Sequence, residues 1–235
     1  MTRSLPSAAE KPRYVAAMFG RIARRYDLMN TLMTAGQDAR WRRVVAHSVA
    51  DAADVLDVGT GTGKLARAVA HLNPRACVVG VDLTFQMLRV ASSTRCRAQA
   101  DALSLPFPDA SFDAVVSAFV LRNLADVPAG LAEQARVLRP GGRLVVLETT
   151  PGPRGVLRLL YRLYFTRLVP LLGRLVAGDA SAYSYLPQSS FVFATPERLA
   201  HEVHLAGFTN VTVTRLSFGS VAVTAGILRR AGGRQ

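Results

Sequence analysis

From residue 54 onward the chain alternates two hydrophobic rhythms. Strands are predicted near 54–58, 77–82, 97–100, 112–118 and 142–149, most of them short apolar runs. Between them, stretches near 63–72, 84–94 and 125–138 repeat apolar residues at helical spacing. Strands separated by helices imply parallel βαβ units with right-handed crossovers. Pro140-Gly-Gly142 stops the last of these helices and feeds the apolar strand Arg143-Leu-Val-Val-Leu-Glu148. In the tail, Phe208-Thr-Asn-Val-Thr-Val-Thr and Ser220-Val-Ala-Val-Thr-Ala flank Phe218-Gly219 and alternate, which predicts an antiparallel pair closing the sheet. Ahead of the strands, residues 12–50 read as two or three helices, centred on 14–22, 26–33 and 38–45, and residues 1–10 as a flexible leader. The expectation is an α/β fold in one domain over 1–235, on a mostly parallel seven-stranded sheet with an antiparallel C-terminal strand. Within it, 1–50 form a helical lid, 51–150 a ligand-binding core, 151–195 a helical cap, and 196–235 a helix and strand pair.

The first strand runs through Asp57 into glycines 59, 61 and 63 and then into a helical pattern. Glycines at that spacing let the backbone turn tightly and let a ligand lie on bare amides at a helix N-terminus. The second strand, Cys77-Val-Val-Gly-Val-Asp82, ends in a carboxylate that can accept both hydroxyls of a ribose. A third strand ends at Asp101, where a carboxylate can accept the exocyclic amine of an adenine. The loop also fits the dinucleotide pattern through Gly61, Gly63 and Ala66. Asp57, however, would repel a pyrophosphate and attract an ammonium group. The three acidic positions together favour S-adenosyl-L-methionine over NAD. A Walker loop is excluded, because Leu65 follows Lys64 where a hydroxyl residue is required.

Charge changes the picture more than composition does. The net charge is +13, from 27 Arg and 2 Lys against 16 acidic residues. Residues 1–50 hold nine basic and three acidic residues, 101–150 are net acidic, and 151–178 hold five Arg and no acid. Positive charge on the flanks of the sheet points to an anionic surface touched by the accessory elements. Over 154–177, Arg154, Arg158 and Arg162 recur every four residues among leucines and aromatics. Five Arg and Pro170 forbid a membrane span, leaving a basic amphipathic helix on a membrane surface or a cap with its Arg facing water. Cys77 and Cys96 read as buried small hydrophobes of a reducing compartment. His201 and His204 lack a third ligand, so no metal site is expected, and no apolar signal segment opens the chain.

Several longer motifs resemble a known family. They are Met18-Phe-Gly-Arg-Ile-Ala-Arg-Arg-Tyr-Asp-Leu-Met-Asn30, Trp41-Arg-Arg43, Val55-Leu-Asp-Val-Gly-Thr-Gly-Thr-Gly63, Leu105-Pro-Phe-Pro-Asp109, Leu121-Arg-Asn123, Arg136-Val-Leu-Arg-Pro-Gly-Gly-Arg-Leu144 and Tyr183-Ser-Tyr-Leu186. With Asp82, Met87, Ser111-Phe-Asp113 and Ala206-Gly-Phe208, the chain is similar to the C-methyltransferases of ubiquinone and menaquinone biosynthesis from residue 18 to about 220. The glycine loop and Pro-Gly-Gly are common to most class I methyltransferases, whereas Arg-Tyr-Asp-Leu-Met-Asn and Leu-Arg-Asn are more specific. The resemblance implies a Rossmann-like class I fold and the cofactor S-adenosyl-L-methionine, held by Asp57, Gly59, Thr60, Gly61, Thr62, Gly63, Asp82, Leu83, Met87, Asp101, Ala102 and Ala118. Thr62 and the neighbouring amides would take the methionine portion, Asp82 the ribose, and Asp101 with Ala102 the adenine. Arg122, Asn123 and Tyr26 would face a polyprenyl quinol, most specifically demethylmenaquinol.

In that role Arg122 would stabilise the oxyanion that makes the ring carbon nucleophilic, and the proton would leave through water, Tyr26 or Asp27. The structural alternatives are Arg122 paired with Asp113 or Asp126, Tyr26 as a core aromatic, and Asp27 as a helix cap. The family usually has Asp at Lys64, Gly at Val120, Ser at Ala118, and His-Arg-Gly where this tail reads Val223-Thr-Ala-Gly226. These departures keep open a paralogue with another hydrophobic acceptor, and a non-catalytic cofactor-binding protein is the alternative of another class. The expected partners are the quinol and an anionic membrane met peripherally at the inner face from the cytoplasm, with a homodimer left open. Nucleic acid is not expected, because no Asn/Asp-Pro-Pro-Tyr type motif is present.

Overall fold

The computed structural model describes residues 6–91, 96–152, 157–174 and 180–230. Seven strands form one sheet: β1 (Asp54–Val58), β2 (Cys77–Asp82), β3 (Cys96–Gln99), β4 (Phe112–Ala118), β5 (Leu138–Thr149), β6 (Phe208–Leu216) and β7 (Val221–Leu228). Their spatial order is β3-β2-β1-β4-β5-β7-β6. Strands β1 to β5 pair in parallel, and β7 runs antiparallel to both β5 and β6. The crossovers are α3 (Lys64–Leu72), α4 (Phe85–Val90) and α5 (Val127–Val137). The predicted fold is therefore the observed one. β5 begins at Leu138, ahead of the predicted 142, because the chain passes directly from α5 into the sheet.

Both faces of the sheet are covered, and the pleat sorts the side chains. Leu56, Val58, Val115, Leu144 and Val146 pack on one face against α5, with Leu199 and Val203 of α9 (Pro196–Leu205). Their alternates Val55, Ala114, Val116, Val145 and Leu147 pack on the other against α3, with Trp41 and Val45 of α2 (Gln37–His47). Burial on both faces explains why these strands read as continuous apolar runs. With the faces closed, the open region is the rim at the C-terminal ends of β1, β2 and β4.

Accessory helices cover that rim. α1 (Lys11–Thr34) is a single helix where two were expected. The intervening Ala23-Arg24-Arg25 are good helix formers and contain no stop signal. A third apolar cluster joins α1, through Val15, Met18, Ile22 and Met29, to the cap. The helix expected over 154–177 is described from 157 to 174 and is interrupted. α6 (Leu157–Leu163) passes through a π-helical turn (Tyr164–Leu168) into α7 (Val169–Leu172). Pro170 has no N–H for the carbonyl one turn back, and the helix widens beside it. α8 (Ala180–Val192) completes the cap. The first half of the expected leader (1–5), Arg154 and positions 175–179 lie outside the described residues.

Two expectations are corrected. Cys77 and Cys96 are exposed, because each opens its strand at the β3 edge of the sheet, where cover ends. Asp113 does not pair with Arg122: it accepts the amides of Ala53 and Asp54 and pairs with Arg139. His201 and His204 are exposed on α9, and the described residues hold no metal-ligand cluster. Among the described residues no helix is long and apolar enough to cross a membrane.

Phe208 is fully buried and Phe218 is 87% exposed, which generates a paired prediction. Phe208→Ala should cost about 3–5 kcal/mol in urea unfolding followed by circular dichroism. Phe218→Ala should stay within about 0.5 kcal/mol of wild type. Equal losses would contradict the assigned cores.

Candidate active site

The loop after β1 depends on left-handed backbone at Gly59 (φ 65°) and Gly61 (φ 57°). A Cβ on Gly59 would overlap the side chain of Val120, whereas one on Gly61 would meet nothing within 4 Å. Gly61 therefore offers open space against its backbone, as a ligand resting on amides requires. Asp57 lies beneath this loop. Its Oδ2 accepts the Thr60 hydroxyl at 2.8 Å and the Ala66 amide at 3.0 Å, while Oδ1 has no hydrogen-bond partner. Burial pushes its carboxyl up to about 7, against the pull of Thr60 and Ala66.

Asp57, expected to attract a cofactor ammonium, has a structural task here. Its carboxylate does not line the cavity and instead ties the loop to the first turn of α3. Thr60, Thr62 and Gly63 also lie off the cavity lining. The Thr62 hydroxyl donates to Asp27 Oδ1 of α1 at 2.7 Å. Lys64 Nζ lies 3.4 Å from Asp38 Oδ2 and 3.6 Å from Asp27 Oδ1. Asp27 thus clasps the lid to the loop from the middle of α1, rather than capping a helix.

The other expected cofactor residues, Gly59, Gly61, Asp82, Leu83, Met87, Asp101, Ala102 and Ala118, line one cavity. Asp82 Oδ2 accepts the Gly61 amide at 2.8 Å and Oδ1 the Thr84 amide at 2.7 Å. Burial raises its carboxyl, and these two amides oppose the rise. The Thr84 hydroxyl also bonds to this carboxylate, and the acceptor position left over suits a ribose hydroxyl. Asp101 Oδ1 accepts the Leu103 amide at 2.9 Å, which fixes the carboxylate at the cavity's far wall. Leu83, Met87 and Ala102 add the apolar surfaces that a nucleoside base needs.

A second cavity shares only Tyr26 and Phe119 with the first. Its lining comes from distant parts of the chain: Met33 and Trp41 near the N-terminus, Arg122 after β4, Tyr161 and Phe165 of the cap, and Ser217 before β7. Phe119 adopts a left-handed conformation (φ 64°), strain that is held at the wall between the cavities. The Arg122 guanidinium lies 5.4 Å from the centre of its ring.

Arg122 is buried. Its Nη1 is paired with Glu148 at the end of β5, and its Nε is buried with no partner among the described residues. The surface pairing considered with Asp126 is not formed, since Asp126 caps α5 through the Ala129 amide. Arg122 and Tyr26 thus come together at the second cavity. Asn123 lines the first, where it donates to the Phe119 carbonyl at 3.0 Å and accepts from the Tyr185 hydroxyl at 3.3 Å. Sequence reasoning missed Glu148. The signal was a lone acid closing an apolar run in a central strand, a position that demands a cation.

Residues 7–228 match the ubiE/COQ5 methyltransferase family. The chain belongs to the ubiE/COQ5 methyltransferase family. It is 46% identical to a demethylmenaquinone methyltransferase of Thermus thermophilus, across 89% of this chain and 99% of that one. Identity is 44% to the demethylmenaquinone methyltransferase of Deinococcus radiodurans, across 92% and 93%. Among solved structures, an S-adenosylmethionine-dependent methyltransferase of Thermotoga maritima superposes with a TM-score of 0.64 at 18% identity, over 90% of this chain and 98% of that one, and shares the fold. In this ubiE/COQ5 chain Val120 occupies the space that a side chain on residue 59 would need, so it supports the loop while lining the first cavity.

Asp57 generates a pH prediction. A buried carboxyl raised from 3.8 to about 7 adds no cost below its unfolded value. The cost grows as pH rises, and above about 7 it reaches on the order of 4 kcal/mol. Asp57→Asn removes the charge and can keep both accepted hydrogen bonds through its amide oxygen. Its melting temperature relative to wild type should therefore rise between about pH 5 and about pH 8. A gap that is constant or narrows with pH would refute the assignment.

Proposed function

We propose that this protein transfers the methyl group of S-adenosyl-L-methionine to a ring carbon of a polyprenyl quinol, with demethylmenaquinol the preferred acceptor. The observation that supports it most is the meeting of two cavities at Tyr26 and Phe119, one edged by Asp82 and Asp101, the other apolar with a buried Arg122. The relatives' name, demethylmenaquinone methyltransferase, states methyl transfer and a quinone acceptor. In this reading residues 1–50 act as lid, 51–150 as cofactor core, 151–195 as cap, and 196–235 close the sheet.

When bound, the cofactor supplies a methyl group activated by a sulfonium charge. Asp82 and Asp101 would hold its ribose and adenine, and the amides around Gly61 the methionine end. Tyr26 and Phe119 would exclude water and align the acceptor ring across the shared wall. Arg122 would donate to the ring oxygen as that oxygen gains negative charge, which drives electron density to the ring carbon. Tyr161, pushed up to about 12 by burial although Arg122 pulls the other way, would serve as a donor. The proton would leave through water or the Tyr26 hydroxyl, since Asp27 is engaged by Thr62.

A prenyl-tailed acceptor resides in a membrane, and the cap suits one. Tyr161 and Phe165 line the second cavity, while Arg158, Leu159, Arg162 and Leu163 of α6 are exposed. That outer face would meet the anionic inner leaflet from the cytoplasm.

Labelled S-adenosylmethionine with short-chain demethylmenaquinone should give a ring-methylated product by mass spectrometry only when the quinone is reduced. Arg122→Ala should lower kcat by about 100- to 1,000-fold at unchanged cofactor Kd. Asp82→Ala should instead raise the cofactor Kd by roughly 10- to 100-fold in calorimetry. Cofactor binding without transfer would move the acceptor elsewhere. Arg158→Glu with Arg162→Glu should weaken binding to phosphatidylglycerol vesicles by about 30-fold or more. Unchanged sedimentation with those vesicles would leave the cap as a water-facing cover.

A further inference from the structure

We propose that Glu148 is a positioning residue for methyl transfer: it aims Arg122 into the acceptor cavity and cancels its charge, so that the site takes the acceptor as a neutral hydroxyl and not as a preformed anion. The inference rests on the quinol reading above. Glu148 does not line the second cavity, whereas Arg122 does. It grips Arg122 at both ends. The guanidinium Nη1 donates to Oε1, and the Arg122 backbone amide donates to Oε2 at 3.4 Å. The carboxylate also accepts the Thr149 amide at 2.9 Å and the Thr149 hydroxyl at 3.3 Å. The grip therefore fixes the short turn Leu121–Asn123 and the side chain it presents.

The energetics make this more than a packing detail. Both side chains are 3% exposed, so each charge would be strongly unfavourable alone. Together they are neutral, and Nε remains a buried donor with no partner among the described residues. A hydroxyl entering the cavity beside Arg122 meets a neutral ion pair and no net charge. An anion arriving beside Arg122 would also meet the field of Glu148 behind it. Negative charge on the ring oxygen is thus favoured only as it develops against an aimed donor.

The other groups facing the pair leave this balance in place. Tyr161 and Tyr185 lie within electrostatic reach, and burial raises both phenols. Asp38 and Arg42 of α2 pair with each other, with Arg42 5.7 Å from the Phe119 ring centre.

The test combines Glu148→Gln and Glu148→Asp in the full chain. Glu148→Gln leaves the guanidinium uncompensated. It should lower kcat about 100-fold, move the alkaline-rising limb of kcat down by about one to two pH units, and leave the cofactor Kd unchanged. Glu148→Asp keeps the charge on a shorter arm, so kcat should fall while the limb stays put. A second readout needs no turnover: 1-naphthol bound to the apolar cavity, its ionisation followed by naphtholate absorbance, should ionise at lower pH in Glu148→Gln than in wild type. A residue that only stabilises the fold would lower the melting temperature and move neither limb nor naphthol ionisation, and that outcome overturns the proposal. If Glu148→Gln does not fold, a Glu148→Asp variant with wild-type kcat overturns it. If wild type methylates no quinol but the naphthol shift appears, the acceptor reading fails and the charge-cancelling role stands.

Discussion

The carboxylate of Asp57 joins three parts of this molecule at one buried point. It leaves β1, accepts the Thr60 hydroxyl from the loop, and accepts the Ala66 amide from the first turn of α3. Only a short acceptor can reach both donors from the end of a strand, and placing it there costs solvation, as its raised pKa records. Thr60 in turn packs against Gly80 of β2, where any larger residue would collide with it. The Gly61 amide can then meet Asp82, and the first cavity follows from that alignment.

The second cavity is built on the same pattern with different chemistry. Glu148 is a second buried acid at the end of a strand, and it also organises a turn by accepting backbone and side-chain donors. Asp57 is surrounded by neutral donors, whereas Glu148 faces a cation. Two strand ends therefore support two cavities of different character, one edged by the carboxylates of Asp82 and Asp101, the other holding the buried guanidinium of Arg122. Phe119, in its left-handed conformation between them, is where the demands of both are reconciled.

Much of this was legible in the chain. The central strands announced themselves because both sheet faces are buried, Asp82 because it ends an apolar run, and Asp101 because it follows a short strand. The role of Asp57 was not legible, since an acid before a glycine loop looks the same whether it faces up or down. The continuity of α1 was missed because Arg24-Arg25 interrupt the apolar rhythm, although neither residue stops a helix. The chamber around Arg122 was beyond sequence reasoning, because Met33, Trp41, Thr149, Tyr161 and Ser217 share no spacing and meet only through the topology. Cys77 and Cys96 misled for a related reason: the tendency of cysteine to be buried carries no information about where a sheet's cover stops.

One consequence follows from the length of α1. Its first turns roof the first cavity at Pro12 and Val15, its later turns wall the second at Asn30 and Met33, and Tyr26 serves both. Lys11 anchors the rod to the Leu124 carbonyl and Asp27 anchors it to Thr62. A stiff rod pinned at two points cannot lift from one compartment while staying seated on the other. Any movement of α1 that opens one compartment therefore also shifts a wall of the other.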